Sequence, residues 1–259
     1  MPGAFVLLYE AKERPSPIWL RAWIYNQLGE LGRSLHASQG PKPFTTAVIE
    51  DKNSFWLRLS FTQDEAYEAA LYRAWELMGR SPFGQQPDGR VTAVFETAHE
   101  LSGKRAWHEL MEAPPSADLP LEFLTPTFFR RKEANYPIPV PGLILSSLIR
   151  DWNAYAPEPV PPEVAKRLVE YTTARHFNTR TLSATAHSRT VGFVGRVTLH
   201  LPRATEEEAR WLSRLGELAF FSGVGAKTTL GFGLTRRYEI DESAHPNRRA
   251  DRRALGGKP

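Results

Sequence analysis

The predicted order of strands and helices is the feature of this sequence that most restricts its fold. Hydrophobic patterns predict a strand at residues 3–12 and a helix at residues 18–31, followed by two strands, a helix and a strand that ends at residue 98. This is the β-α-β-β-α-β order of a ferredoxin-like domain. After residue 120 the same order returns with one extra helix after the first, although the residue identities do not repeat. The chain is therefore expected to contain two such units.

A proline-rich stretch, EAPPSADLP at residues 112–120, separates the two runs of elements. Domain boundaries fall in segments of this composition, so a boundary is expected there. We predict an α+β protein of two tandem ferredoxin-like, RRM-like domains, at residues 1–113 and 120–243. Residues 244–259 are basic and lack apolar periodicity, which predicts a flexible tail.

Positive charge is concentrated in the last third of the chain. Residues 175–259 contain 15 of the 33 Lys and Arg residues but only 8 of the 29 Asp and Glu residues. The span 175–203 contains no acidic residue and includes Arg175, Arg180, Arg189 and Arg196. Arginine pairs phosphate oxygens bidentately and stacks on bases, so these four residues are predicted to bind RNA. The alternatives are an ordinary basic hairpin and the codon usage of a high-GC genome.

The absence of cysteine limits the chemistry that is available to the protein. With no cysteine in 259 residues, disulfides, thiolate catalysis and cysteine-ligated metal centres are excluded. No histidine pair lies beside carboxylates at a recognised ligand spacing, so neither a metal site nor a cofactor is predicted. No apolar run approaches the roughly 20 residues that span a bilayer, and no basic segment precedes the short apolar stretch at the start. We therefore expect a cytoplasmic protein with no membrane partner.

The stretch FSGVGAKTTLGFGLTR, residues 221–236, has the composition of a phosphate-binding loop. A P-loop has glycine directly before its lysine and follows a strand, whereas here Ala226 precedes Lys227 and the stretch follows a predicted helix. The dinucleotide spacing G-x-G-x-x-G fails as well, because Thr228 occupies the third glycine position. What remains is two Gly-apolar-Gly triplets separated by five residues. The pattern predicts RNA or phosphate contact by Gly223, Gly225, Lys227, Thr228, Thr229, Gly231 and Gly233. The alternative is a helix cap followed by a flexible hairpin.

This glycine pattern resembles the C-terminal glycine-rich loop of the Cas6 family, the endoribonucleases that cut CRISPR repeat RNA. Three more segments are similar to that family in order and spacing: LTPTFFRR at 124–131, LILSSLIRDWN at 143–153 and VGFVGRVTLHL at 191–201. The resemblance implies metal-independent cleavage of precursor transcripts into guide RNAs. In that reaction the ribose 2'-OH attacks the adjacent phosphate and leaves a 2',3'-cyclic phosphate and a 5'-OH. The implied partners are precursor and processed repeat RNA, a second copy of the chain as a homodimer, and a CRISPR effector complex.

The resemblance also implies which residues act in catalysis. His36 matches the family's catalytic histidine, after the first helix and before the second strand, and Lys42 follows at a spacing that some family members share. The tyrosine that accompanies them in those members has no matching residue. Arg21 lies near its place and Tyr25 lies closer to His36. Histidine suits both proton transfers because its unperturbed pKa is about 6.5.

Helical geometry groups the same side chains independently of the resemblance. If one helix continues to residue 36, Arg21, Gly32, Tyr25 and His36 lie within about 60° of one another on its surface. If Gly29 and Gly32 end the helix instead, His36 lies on a loop, and a solvent-facing histidine without a catalytic role is the simpler interpretation.

Two other functions remain open at this point. A non-catalytic relative that binds repeat RNA as a structural subunit of an effector complex would keep the fold and the loop, but it would not need His36. A nucleotide-binding regulatory domain on the same fold would bind ATP or GTP through the loop. The presence of His36 favours the endoribonuclease.

Overall fold

The computed structural model describes residues 1–37, 39–52, 54–83, 89–132, 134–186 and 188–239. In its first half, the main strands form an antiparallel sheet in the order β2-β3-β1-β4, and the short β5 also pairs with β1. The elements are β1 (Gly3–Ala11), α1 (Pro17–Gln27), α2 (Gly29–Ala37), β2 (Phe44–Asp51), β3 (Ser54–Phe61), α3 (Asp64–Glu76), β4 (Gly89–Phe95), β5 (Gly103–Lys104) and α4 (Trp107–Met111).

The second half repeats this arrangement. Its sheet has the order β11-β6-β10-β9, which is the same ferredoxin-like order as in the first half. The elements are β6 (Asp118–Thr127), β7 (Phe129–Arg131), β8 (Ala134–Tyr136), α5 (Pro141–Tyr155), α6 (Pro162–Tyr171), β9 (Thr173–Thr185), β10 (Arg189–His200), α7 (Glu206–Ser222), the 3-10 helix Thr228–Leu230 and β11 (Thr235–Arg237). The predicted tandem α+β fold is confirmed, including α6 as the extra helix.

The sequence patterns missed several small features of the described residues. They include the strand β5, the helix α4, the β7–β8 hairpin, the 3-10 helix and the division of the first predicted helix into α1 and α2. The predicted tail at 244–259 lies outside the described residues, as does the end of the second predicted domain. In the described part of the chain, every helix is too short or too polar to cross a membrane.

Each sheet packs its helices against one face. In the first unit, side chains of β1 and β3 such as Phe5 and Leu57 meet α1 and α3 through Leu20 and Ala70. In the second unit, one cluster joins strands β6 and β10 to helices α5, α6 and α7. Its largest members are Phe123, Phe193, Trp152 and Trp211. Alternation along the strands produces these one-sided cores.

The two units join where α7 ends against the open face of the first sheet. Arg58 of β3 is completely buried there, and its guanidinium donates to the carbonyls of Leu101, at 2.9 Å, and Phe220, at 2.6 Å. Ser60 donates to the next carbonyl, that of Phe221, at 2.8 Å. The last carbonyls of a helix lack intrahelical donors, so the first unit caps the end of α7. Burial lowers the pKa of Arg58 to about 9, which leaves the guanidinium charged at neutral pH.

We predict that Arg58→Met lowers the free energy of unfolding by about 2–4 kcal/mol, because two buried carbonyls lose their donor while the apolar volume is retained. The measurement is chemical denaturation. The matched control is Arg73→Met, since Arg73 pairs with Glu76 on the exposed side of α3 at 2.6 Å. Exposed pairs contribute at most about 1 kcal/mol, so equal losses in the two variants would contradict the capping role.

Candidate active site and nucleic-acid interface

His36 lies on a second helix, not on a continuation of the first. α1 ends at Gln27 and Gly29 adopts a φ of +55°, which turns the chain into α2. A Cβ on Gly32 would lie 1.9 Å from the carbonyl oxygen of Tyr25, so glycine is required where α2 folds against the end of α1. The geometry of one continuous helix is therefore wrong. His36 occupies the last turn of α2 and is exposed.

The break nevertheless keeps three predicted site residues together. The rings of Tyr25 and His36 are 5.0 Å apart at an interplanar angle of 66°, an edge-to-face contact. The guanidinium carbon of Arg21 lies 5.3 Å from the centre of the Tyr25 ring. Tyr25 itself is buried against Phe44, at 5.2 Å between ring centres. The Tyr25 ring therefore contacts both the His36 imidazole and the Arg21 guanidinium.

Lys42 brings a second positive charge to the same place. Its Nζ donates to the carbonyl oxygen of Leu35, the residue before His36, at 2.5 Å. Burial and then the positive charge of Arg21 lower the pKa of Lys42. Arg21 is thus close enough for its charge to act on Lys42. An exposed imidazole beside two cations can exchange a proton with a substrate while the cations stabilise negative charge.

The glycine-rich segment, residues 223–233, is a folded loop rather than a flexible one. The N–H groups of Val224, Gly225 and Ala226 donate to Gly233 O, Ser147 Oγ and Phe128 O, at 2.8, 2.9 and 2.9 Å. A Cβ at Gly233 would lie 2.0 Å from Val224 O, and one at Gly225 would lie 2.6 Å from Phe128 O. Close backbone packing therefore explains these glycines without any ligand.

The part of this glycine loop that a ligand can reach is shorter than the glycine pattern. Ala226, Lys227, Thr228 and Thr229 are half-buried, whereas Gly223, Gly225 and Gly233 are buried. Lys227 has a left-handed φ of +59°, and the 3-10 helix begins after it. Any direct phosphate contact at this loop therefore falls to residues 226–229 and their neighbour Gly231.

The glycine loop contacts the first unit close to the cluster that contains His36, called the histidine cluster below. Thr46 Oγ1 of β2 donates to Thr229 O at 3.1 Å. Gly231 lies against Pro17, where an added Cβ would meet the proline ring at 3.6 Å. Pro17 opens α1 and precedes Arg21 by about one helical turn. The loop and the cluster of Arg21, Tyr25, His36 and Lys42 therefore share one side of the molecule.

The basic β9–β10 hairpin reaches the same place. Near its tip, Ala184 and Ala186 pack against a cluster of Phe128, Leu230 and Phe232 at the glycine loop. The loop and the hairpin come from the second unit and α1 from the first, and sequence spacing alone could not bring them together.

The structure divides the four predicted RNA-binding arginines into two pairs. Arg175 and Arg196 bond to the carboxylates of Asp118 and Glu122, at 3.3 and 2.9 Å. Arg180 and Arg189 are exposed, and no carboxylate of the described residues forms an ion pair with either. Arg180 pairs with Val194 across the ladder, which places it on the same face as Arg196, two residues along; Arg189 lies on the opposite face.

Sequence reasoning missed the contacts that hold the two halves of the site. Ser147 of α5 binds the glycine loop, Thr46 of β2 binds it from the other unit, and the hydroxyl of Tyr155 donates to the carbonyl of Pro41. A signal was present for α5, where Ser147, Asp151 and Tyr155 recur at four-residue intervals. Across the described ranges, no group of three His, Asp or Glu side chains is arranged to hold a metal ion.

The fold and the site define an α+β protein of two tandem ferredoxin-like units, with a basic hairpin and an exposed histidine, and comparisons with known proteins specify the family. The model of the family described as CRISPR-associated endoribonuclease Cas6 matches residues 121–235. Among solved structures, a Cas6 (TTHA0078) product complex is 43% identical over 92% of this chain and 99% of that chain, with a TM-score of 0.86. A histidine-to-alanine mutant of the same Cas6 is 41% identical over 92% and 99% of the two chains, with a TM-score of 0.82.

A second Cas6 is also similar. Thermus thermophilus Cas6 (TTHB231) is 31% identical over 92% of this chain and 98% of that chain, with a TM-score of 0.76. Its product complex reaches 32% identity and a TM-score of 0.83, over 92% and 100% of the two chains. A comparison with curated proteins found no significant match. This chain belongs to the Cas6 family of CRISPR-associated endoribonucleases.

We predict that Gly233→Ala destabilises the protein by more than about 2 kcal/mol, because the left-handed φ and the contact with Val224 O both oppose a Cβ. The control is Gly79→Ala, at a similar φ of +75° but with no atom within 4 Å of the added Cβ. It carries the conformational cost alone, about 1 kcal/mol. Equal midpoints in thermal unfolding would show that the loop relaxes around the methyl group.

Proposed function

We propose that this protein binds CRISPR repeat RNA and cleaves precursor transcripts into guide RNAs without a metal ion. The ribose 2'-OH attacks the adjacent phosphorus, the bond from phosphorus to the 5'-oxygen breaks, and the products carry a 2',3'-cyclic phosphate and a 5'-OH. One proton leaves the 2'-oxygen and one is delivered to the 5'-oxygen, so the reaction consumes no water. Membership of the Cas6 family supports the substrate class.

The observation that carries this proposal is the position of His36. Its imidazole is exposed, stands edge-on to the Tyr25 ring and has two cations of the first unit nearby. We assign His36 the role of general base or general acid at one of the two reacting oxygens. The nucleophile belongs to the RNA itself, and the protein supplies the proton transfer.

Arg21 and Lys42 would stabilise the charge on the crowded phosphorus. The pentacoordinate phosphate carries more negative charge than the ground state, and fixed cations stabilise it most when little water screens them. Lys42 is half-buried, and this burial lowers the pKa of its ammonium group. Tyr25 would act through its ring, because its hydroxyl is buried and accepts or donates no hydrogen bond among the described residues.

The second unit would hold the RNA. Lys227, Thr228 and Thr229 form the reachable part of the glycine loop, while Gly223, Gly225, Gly231 and Gly233 set its shape. The hairpin offers Arg180 and Arg189 to phosphates directly. Arg175 and Arg196 would first have to exchange their carboxylate partners, so we expect smaller contributions from them.

We predict that the protein cuts repeat RNA in excess chelator and that His36→Ala lowers the single-turnover rate constant by about 100-fold or more, in line with loss of a general acid or base. Denaturing gels measure the cut, and phosphatase treatment identifies the cyclic end. The matched control is His108→Ala, an exposed histidine on α4, which should cut at the parent rate.

A substrate with a single 2'-deoxy nucleotide at the cleavage site separates the chemistry from binding. The parent protein should bind this RNA with unchanged affinity and should not cut it. Cleavage of the deoxy substrate, or a requirement for added divalent metal, would contradict the proposed mechanism. Binding without any cleavage of ribose substrates would favour the non-catalytic subunit.

We predict that Arg180→Ala weakens RNA binding and lowers the slope of log Kd against log salt by about 1, as expected for one lost phosphate contact. Filter binding at several salt concentrations measures both quantities. The control is Arg210→Ala, since Arg210 is a partly exposed arginine on α7 that pairs with Glu206 at 2.6 Å. An unchanged slope in Arg180→Ala would place the RNA elsewhere.

A further inference from the structure

One stripe of α5 is polar although it is largely buried. Ser147, Asp151 and Tyr155 follow at four-residue intervals, which aligns them along the helix. Ser147 and Asp151 are only 6% and 5% exposed. Burying such groups is unfavourable unless they are bonded, and the adjacent stripe with Trp152 already packs in the core. The bonding partners of this polar stripe account for its presence.

At one end of the stripe, α5 holds the glycine loop. Ser147 Oγ accepts the buried N–H of Gly225 at 2.9 Å. Gly225 also packs closely on Phe128, since an added Cβ at Gly225 would lie 2.6 Å from Phe128 O. Ser147 is therefore the side-chain contact among the hydrogen bonds that hold the start of the glycine loop.

At the other end, α5 holds the segment that carries Lys42. The Tyr155 hydroxyl donates to the carbonyl of Pro41 in the first unit. Burial, followed by the negative charge of Asp151, raises the pKa of Tyr155, so the hydroxyl remains a donor at neutral pH. Lys42 follows Pro41 directly and bonds in turn to Leu35 O, beside His36.

An ion pair lies in the middle of the stripe. Arg150 Nε donates to Asp151 Oδ1 at 2.9 Å, and a terminal nitrogen of the same guanidinium lies 3.5 Å from Ser147 Oγ. Burial raises the pKa of Asp151 to about 6, and the charge of Arg150 opposes this rise. The Arg150 guanidinium thus joins Asp151 to Ser147 within the stripe.

We propose that α5 is the spacer that sets the distance between the glycine loop and the histidine cluster, with Tyr155 as a positioning residue for cleavage. The idea rests on the proposed function. Ser147 and Tyr155 are eight residues apart, about 12 Å along the helix axis. A helix is stiffer than the loops that contact it, so RNA held at the glycine loop meets Lys42 and His36 in a constant geometry. Small displacements of reacting groups cost large factors in rate.

The test is Tyr155→Phe, which removes one hydroxyl and retains the ring. The substrate is a CRISPR repeat RNA that the parent protein cleaves, and its 2'-deoxy version reports binding. We expect the single-turnover rate constant to fall about 10-fold. We expect the Kd for the deoxy RNA to stay within about 2-fold, because the glycine loop is untouched, and the Tm to stay close to that of the parent. Ser147→Ala should instead affect binding, with the Kd for the deoxy RNA raised about 3-fold or more.

The matched control is Tyr171→Phe, the same change at an exposed tyrosine that ends α6. It should match the parent in rate, Kd and Tm. A parent rate in Tyr155→Phe would overturn the spacer while leaving the proposed function intact. An equal loss of rate, affinity and Tm would also overturn it, because the tyrosine would then be only structural. If the parent protein cleaves no repeat RNA, the proposed function fails, and the spacer fails with it.

Discussion

The capping of α7 by the first unit is the interaction on which the rest of the structure depends. The glycine loop leaves α7 directly at Gly223, so the position of the helix end determines where the loop lies. That end is fixed by Arg58 and Ser60, which donate to the carbonyls of Phe220 and Phe221. A charged donor on a helix C-terminus is favourable on two counts, because it satisfies an orphan carbonyl and opposes the negative end of the dipole. This contact, together with those of Thr46 and Tyr155, holds the second unit against the first.

The same junction brings together parts of the candidate site that come from two units of similar fold. The first unit supplies the histidine cluster from α1, α2 and the segment before β2, while the second supplies the glycine loop and the hairpin. Thr46, Pro17 and Tyr155 make the contacts between them. The arginines of the hairpin differ in their surroundings, since Arg175 and Arg196 form ion pairs with carboxylates whereas Arg180 and Arg189 are exposed to solvent. The candidate site is therefore a surface between units and belongs to neither alone.

Much of the fold could be predicted because local physics and global fold agree. The apolar periods predicted both runs of β-α-β-β-α-β, and both are present in the structure. The first helix was harder, since a left-handed Gly29 and a crowded Gly32 look alike in the sequence. Only the backbone shows that one turns the chain and the other lets α2 approach Tyr25. The glycine pattern raised a similar difficulty, because the sequence does not distinguish a glycine that contacts a ligand from one that packs against neighbouring backbone.

The sequence by itself determined the fold class, the order of elements, the acid-free basic span and the candidates His36, Lys42, Tyr25 and Arg21. Hydrophobic periodicity, charge content and residue type are properties of neighbours along the chain, so they can be seen without coordinates. The tertiary structure decided which candidates meet, which arginines are already paired, and that Ser147 and Tyr155 of α5 contact the glycine loop and the segment that carries Lys42. These are contacts between residues far apart in the sequence, as in the pair Thr46 and Thr229, which lie 183 positions apart, so spacing along the chain does not predict them.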